Sequence, residues 1–76
     1  MKNLLVPRLN PNDNEVTVST VYVSNNTFVE ENELIIDFES NKSISEFVSP
    51  VAGFVFDLPS EGDRLAVGSV FAKISR

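Results

Sequence analysis

The second half of this chain repeats the apolar pattern of its first half. The segment NTFVEENELIIDFES, residues 26–40, aligns without a gap on GDRLAVGSVFAKISR, residues 62–76, at a shift of 36 positions. Apolar residues coincide at four positions of this alignment: Val29 with Leu65, Leu34 with Val70, Ile35 with Phe71, and Phe38 with Ile74. Because matched apolar positions indicate matched buried faces, the repeat predicts two halves of similar structure.

Residues with unusual backbone freedom recur at the same shift. Asn26 aligns with Gly62, and Asn32 aligns with Gly68. Asparagine and glycine are the residues that best tolerate a positive φ angle. The turns at these positions are therefore expected to share a backbone shape. Together with Gly53, the two glycines are assigned structural roles at turns.

Short apolar runs separated by Asn, Pro, Gly and Ser indicate strands, and no window has convincing helical periodicity. Strands are predicted at residues 5–7, 16–23, 28–29, 34–40, 43–48, 53–58 and 70–74. Segments 20–23 and 53–56 align at a shift of 33, which predicts a three-residue insertion in the second half. The six phenylalanines are expected in the core.

Two similar halves of about four short strands can bury their apolar faces only against each other. The sequence therefore predicts an all-β fold, a flattened β-barrel or sandwich (a barrel-sandwich hybrid) of two similar four-stranded halves with quasi-two-fold symmetry. At this length the chain is expected to form one domain over residues 1–76.

Composition excludes several classes of function. The net charge of −5 would repel a phosphate backbone, so nucleic acid is not expected as a partner. The chain has no cysteine and no histidine, which removes thiol chemistry, the commonest general base and the commonest metal ligand. The apolar run Leu4–Val6 is too short for a signal peptide or a membrane span. We therefore expect a cytoplasmic chain with no metal site and no membrane partner.

The repeat places a polar turn where the first half ends. A two-residue turn at Asn41 and Lys42 would pair Ser40 with Ser43 across a hairpin, and asparagine in the first turn position favours a type I′ turn. The symmetry of the halves puts this turn at the end of the molecule opposite the two termini. Without further pattern, Lys42 would be interpreted as an ordinary solvated turn lysine.

Acidic residues flank this turn on both strands. The hairpin register sets Asp37 opposite Glu46, a like-charge pair that is unfavourable unless both side chains are in water. With Glu39, these residues form an acidic rim near Lys42. Solvated strand faces and a surface that a partner recognises are both possible interpretations of the rim.

The spacing around Lys42 resembles that of the lipoyl/biotinyl carrier domains. In the lipoyl branch a glutamate stands three residues before the modified lysine, a small residue follows it, and Ser-Pro and Gly come later at fixed spacings. This chain has the corresponding residues Glu39, Ser43, Ser49, Pro50 and Gly53. The segments LVPRLNPNDNEVTV and EGDRLAVGSVFAKI are similar to the opening and closing segments of the family, so the resemblance extends over roughly residues 4–74.

The residues beside Lys42 favour the lipoyl branch. Biotinyl domains flank their lysine with methionines, whereas this lysine lies between Asn41 and Ser43, and the only methionine is Met1. Asn41 stands where lipoyl domains usually have aspartate, and Ser43 where they usually have alanine. These two differences bear on whether a ligase accepts Lys42.

The resemblance implies a non-catalytic carrier domain with lipoate attached covalently to Lys42. It implies modification by a lipoate ligase or lipoyl transferase, and work with a thiamine-dependent 2-oxo acid decarboxylase, an acyltransferase and a flavin-containing dihydrolipoyl dehydrogenase. The residues expected to be recognised are Glu39, Asn41, Ser43, Asp37 and Glu46. The alternatives are a biotinyl carrier domain of a carboxylase and an unmodified interaction domain of the same fold.

Overall fold

The computed structural model describes residues 1–76 and consists of eight strands without a helix. The strands are β1 (Lys2–Leu5), β2 (Glu15–Val21), β3 (Thr27–Val29), β4 (Leu34–Glu39), β5 (Ile44–Val48), β6 (Gly53–Phe56), β7 (Arg64–Ala66) and β8 (Val70–Ser75). They form two four-stranded antiparallel sheets, with strand orders β1-β8-β6-β3 and β5-β4-β2-β7. The fold is therefore all-β, and the two sheets form a sandwich that does not close into a barrel. No helix capable of crossing a membrane is present.

The two sheets are related by the predicted quasi-two-fold symmetry. Replacing β1, β2, β3 and β4 by β5, β6, β7 and β8 converts the strand order of one sheet into that of the other. Each sheet therefore takes two strands from each half of the chain, and neither half can form its sheet alone. The turn after β4 corresponds under this symmetry to the chain terminus after β8.

The strand registers correct the predicted position of the insertion. Val18 pairs with Phe38 and Val55 pairs with Ile74, so these two valines occupy equivalent positions at a shift of 37, not 33. The register of β2 shifts between Val18 and Thr20, which leaves Ser19 as a bulge residue without an equivalent in the second half. The halves thus differ here by one bulged residue in the first half rather than three inserted residues in the second.

The four turn residues matched by the repeat all have a positive φ angle. The values are 65° at Asn26, 92° at Gly62, 70° at Asn32 and 88° at Gly68. Equivalent backbone bonds follow: Asn32 N–H donates to Ser49 O at 2.7 Å, and Gly68 N–H donates to Val6 O at 2.9 Å. The prediction of shared turn shapes is confirmed.

Gly53 has a different structural role from the one predicted. It begins strand β6 rather than lying in a turn, and it is buried. A Cβ atom at this position would lie 2.5 Å from the backbone oxygen of Ser75 and 2.6 Å from Cγ2 of Ile74. Glycine is therefore required here because β8 passes close to the backbone of β6.

Strand β7 was not predicted, because three residues are too few to show an alternating pattern. It pairs with β2, with Val16 opposite Leu65. The first strand was predicted wrongly at residues 5–7: β1 lies at residues 2–5 and shares only Leu5 with that prediction. The other strands agree with the predicted ones apart from their ends. The second lies at 15–21, and the sixth ends at Phe56, where Asp57 adopts a φ of 60°.

Twelve buried apolar side chains form one core between the sheets. Phe38 and Phe71 are buried there, and Phe47 packs half-buried against them. The expectation that all phenylalanines are buried is wrong for Phe28 and Phe54, which are 54% and 52% exposed. These two rings pack edge to face on the outer surface, with centroids 5.5 Å apart.

Candidate functional site

Lys42 lies at the tip of the hairpin formed by β4 and β5. The register pairs Phe38 with Ser45 and Asp37 with Glu46, as predicted. The hairpin closes where the N–H of Ser40 donates to the carbonyl of Ser43 at 2.9 Å. The two residues between them are exposed to solvent.

The turn is not of the predicted type I′. That type requires a positive φ at both central residues, and neither Asn41 nor Lys42 has one. Lysine in the left-handed region would cost about 1–2 kcal/mol, and the chain has no glycine at this position to avoid the cost. The turn therefore keeps a φ angle outside the left-handed region at the lysine.

The ammonium group of Lys42 has no partner within the chain. The two ion pairs of the structure join Arg64 to Glu15 and Lys73 to Asp57, and no side-chain hydrogen bond involves Lys42 Nζ. The two residues that close the turn, Ser40 and Ser43, have small side chains. The amine is therefore exposed to solvent without an ion-pair partner.

An aromatic cluster under the turn anchors the hairpin to the opposite sheet. Phe38 of β4 and Phe47 of β5 both pack edge to face on Phe71 of β8, with centroids 5.0 Å and 4.9 Å apart. Edge-to-face pairs add about 0.5–1.5 kcal/mol each beyond the area they bury. The base of the hairpin is thus packed against the opposite sheet, while its tip is exposed to solvent.

A polar contact from another loop also reaches the turn, and sequence reasoning missed it. Asn10, in the loop between β1 and β2, donates from its side-chain amide to Ser40 Oγ at 2.8 Å. Thirty positions separate the two residues, so spacing along the chain carried no signal of the contact.

The acidic residues predicted near Lys42 occupy two different environments. Glu39 and Glu46 are exposed. Asp37 is half-buried, and its Oδ2 accepts a hydrogen bond of 2.5 Å from the hydroxyl of Tyr22. Its other oxygen, Oδ1, is buried without a partner. The carboxylate of Asp37 is therefore engaged within the domain, whereas Glu39 and Glu46 face solvent beside the turn.

A polar depression of about 450 Å³ lies beside the hairpin tip. Its charged lining residues are Asp13, Glu15, Glu39 and Arg64. Its lining is mostly polar, and Val16 is the one hydrophobic residue among the eight that line it. No group of three or more acidic, histidine or cysteine side chains is arranged to hold a metal ion.

The bond between Tyr22 and Asp37 predicts a pH effect. The pKa of Tyr22 is raised above 10.0, first by the hydrogen bond that its hydroxyl donates to Asp37. Since the folded-state pKa is raised, the contribution of this bond to stability is complete below the unfolded-state pKa of about 10 and is lost as pH rises through the folded-state pKa.

Tyr22 is the only tyrosine, and the chain has no tryptophan, so ultraviolet titration of the phenol reports on this residue alone. We expect a pKa above 10 in the wild type and a lower one in Asp37→Asn, with folding monitored by circular dichroism at each pH. Equal pKa values in the two folded proteins would contradict the assigned contact.

This sequence and fold resemble those of known proteins. The family model described as "Biotin-requiring enzyme" (Biotin_lipoyl) matches residues 2–74. Among solved structures, the fold is similar to the solution structure of the lipoyl domain of the 2-oxoglutarate dehydrogenase complex from Azotobacter vinelandii. The TM-score is 0.84 at 23% sequence identity, over 100% of this chain and 98% of the other. No curated protein matches the sequence significantly. Since the family match extends over nearly all of its residues, the chain belongs to the biotin/lipoyl family.

Proposed function

We propose that this chain is a lipoyl carrier domain in which lipoate is attached to Lys42 through an amide bond. The observation that carries the proposal is the position of Lys42, exposed at a hairpin tip with an unpartnered ammonium group, in a member of the biotin/lipoyl family. The small neighbours Ser40 and Ser43 leave the amine accessible, so the residues present fit the attached group.

The chain itself contributes position rather than catalysis. The cluster of Phe38, Phe47 and Phe71 fixes the base of the hairpin, and a flexible arm extending from its tip works by raising the effective concentration of the carried group near a partner's active site. A bound lipoyl group supplies a disulfide/dithiol couple for acyl transfer, chemistry that a chain without cysteine lacks.

The exposed residues around the turn form the proposed recognition surface. Glu39, Glu46, Asn41 and Ser43 are all on the hairpin and all reach solvent, with Ser45 half-buried between them. Asp37 adds charge to this surface from a half-buried position. A lipoate ligase or lipoyl transferase would approach this end of the domain to modify Lys42.

The partners proposed are those of a 2-oxo acid dehydrogenase-type system in the cytoplasm. A thiamine-dependent 2-oxo acid decarboxylase would load the carrier, an acyltransferase would unload it, and a flavin-containing dihydrolipoyl dehydrogenase would reoxidise it. The likeness of the fold to a lipoyl domain of a 2-oxoglutarate dehydrogenase complex supports this class of system.

A biotinyl carrier domain of a carboxylase is the second candidate, because the description of the matching family names biotin. The residues beside Lys42 argue for lipoate, since Asn41 and Ser43 stand where biotinyl domains carry methionines. An unmodified interaction domain of the same fold is the third.

Intact-mass measurement separates the three candidates. The purified domain is incubated with ATP and either lipoate and a lipoate ligase or biotin and a biotin ligase. We expect a single lipoyl adduct in the first reaction and no adduct in the second. A biotinyl adduct alone would favour the carboxylase carrier, and an unchanged mass in both reactions would leave only the unmodified domain.

A further inference from the structure

Asn10 joins the loop between β1 and β2 to the turn that presents Lys42. The two protons of its side-chain amide have separate acceptors, Ser40 Oγ at 2.8 Å and Asp13 Oδ2 at 3.1 Å. The amide orientation is fixed by charge, because a rotated amide would place its oxygen against the carboxylate of Asp13. The backbone N–H of Asn10 donates to the same carboxylate oxygen at 3.1 Å.

Ser40 transmits this contact to the turn. Its hydroxyl accepts from the backbone N–H of Lys42 at 3.4 Å and lies 3.4 Å from the hydroxyl of Ser43. The hydroxyl of Ser43 is also within 3.5 Å of the amide nitrogen of Asn10. The side chain of Asn10 is therefore linked to the backbone N–H of Lys42 through the hydroxyl of Ser40. It forms no hydrogen bond with the lysine amine.

The loop that carries Asn10 is itself held in place. Arg8 donates from Nη1 to the backbone oxygen of Asp13 at 2.6 Å and to that of Pro11 at 3.3 Å. At its end, the carbonyl of Asn14 accepts from the N–H of Val67 at 3.0 Å. Asn10 thus connects the exposed turn to a fixed element of the domain.

We propose that Asn10 is a positioning residue that holds the turn in the conformation in which Lys42 is presented to the enzyme that modifies it. The inference rests on the proposed function only where it concerns the KM of lipoylation. Its effect on the motion of the turn does not depend on that function. When only a fraction of a protein is in the conformation that binds, apparent affinity falls by that fraction. Loss of the Asn10 contact therefore raises the KM of modification and leaves kcat unchanged.

Four single substitutions and one double variant test this role. Asn10→Ala removes both side-chain donors, and Asn10→Asp keeps the shape while placing a second carboxylate beside Asp13. Ser40→Ala removes the acceptor, so the double variant with Asn10→Ala should be no worse than Ser40→Ala alone if Asn10 acts through Ser40. Asn12→Ala is the matched control, since Asn12 is an exposed asparagine of the same loop whose side chain forms no hydrogen bond.

The first readout is amide hydrogen exchange and ¹⁵N relaxation in the unmodified domain, and the second is the KM of lipoylation. In Asn10→Ala and Asn10→Asp we expect faster motion at residues 41–43 with the core amides unchanged. We also expect KM to rise about fivefold, the factor that an ordinary hydrogen bond corresponds to. Asn12→Ala should behave as the wild type in both readouts.

The proposal would be overturned by unchanged dynamics at residues 41–43 in Asn10→Ala, or by looser dynamics with an unchanged KM. A loss confined to kcat would equally contradict a positioning role. If the wild type accepts no lipoate at all, the proposed function fails, and the relaxation measurement still decides whether Asn10 positions the turn.

Discussion

The Lys42→Arg variant is expected to fold as the wild type does and to accept no lipoyl group. Lys42 is exposed and its side chain forms no ion pair or hydrogen bond, so its replacement should change the free energy of unfolding by no more than about 0.5 kcal/mol. Arginine keeps the positive charge, but its guanidinium stays protonated and is not acylated as an amine is. Intact mass after the ligase reaction and a urea unfolding curve measure the two effects.

Lys73→Arg is the matched control for this experiment. Lys73 is one of the three lysines and lies 3.8 Å from Asp57, far along the chain from the hairpin tip. Its replacement should leave lipoylation intact. Modification of Lys42→Arg at the wild-type rate would place the attachment site elsewhere, and unfolding of that variant would show that Lys42 is needed for the structure.

The Gly53→Ala variant is expected to lose much of the stability of the domain. A Cβ atom at Gly53 would overlap the backbone oxygen of Ser75, and a backbone atom in a paired strand cannot move aside as a flexible side chain can. Such overpacking costs about 1–3 kcal/mol and occasionally more. For a domain of this size we expect the midpoint of thermal unfolding to fall by about 10 °C or more.

Gly62→Ala separates this steric effect from the general cost of losing glycine. Gly62 has a φ of 92°, but nothing lies within 4 Å of a Cβ atom at its position, so only backbone strain opposes the substitution. We expect a smaller loss, about 1–2 kcal/mol. If Gly62→Ala proves as destabilising as Gly53→Ala, the close approach of β6 and β8 does not explain the glycine.

The symmetry of the fold could be predicted because the repeat includes residues that favour a particular backbone conformation at the turns. Asn26 and Gly62, like Asn32 and Gly68, share positive φ angles that few other residues adopt, so their alignment reported on shape as well as on polarity. The extra residue at Ser19 could not be predicted. A bulge changes the hydrogen-bond register, and a polar serine in an alternating strand shows no sign of it.

Exposed aromatic residues were also beyond prediction from the sequence. Phe28 and Phe54 occupy the positions that correspond to Arg64 and Thr17 in the other sheet, on its outward face. Hydrophobicity alone assigns a phenylalanine to the core. Which face of the sheet these side chains lie on follows only from the strand pairing, in which β6 lies between β3 and β8.

The exposed hairpin turn at Lys42 was easier to predict than the contacts that hold this turn. The spacing from Glu39 to Gly53 depends on residues close in sequence, and the pairing across the hairpin follows from a two-residue turn. Asn10, in contrast, reaches Ser40 from another loop, and that loop takes its shape from hydrogen bonds of Arg8 and Asp13 that no local pattern encodes.

Peptide mapping of the ligase-treated domain tests most directly whether Lys42 carries the lipoyl group. Trypsin cleaves after unmodified lysine and arginine, so unmodified protein yields peptides 9–42 and 43–64, bounded by Arg8, Lys42 and Arg64. Acylation of Lys42 blocks the middle cleavage. We predict a single peptide, 9–64, with the lipoyl mass on Lys42 in its fragmentation spectrum. Recovery of peptides 9–42 and 43–64 only, or an adduct on Lys2 or Lys73, would contradict the proposal.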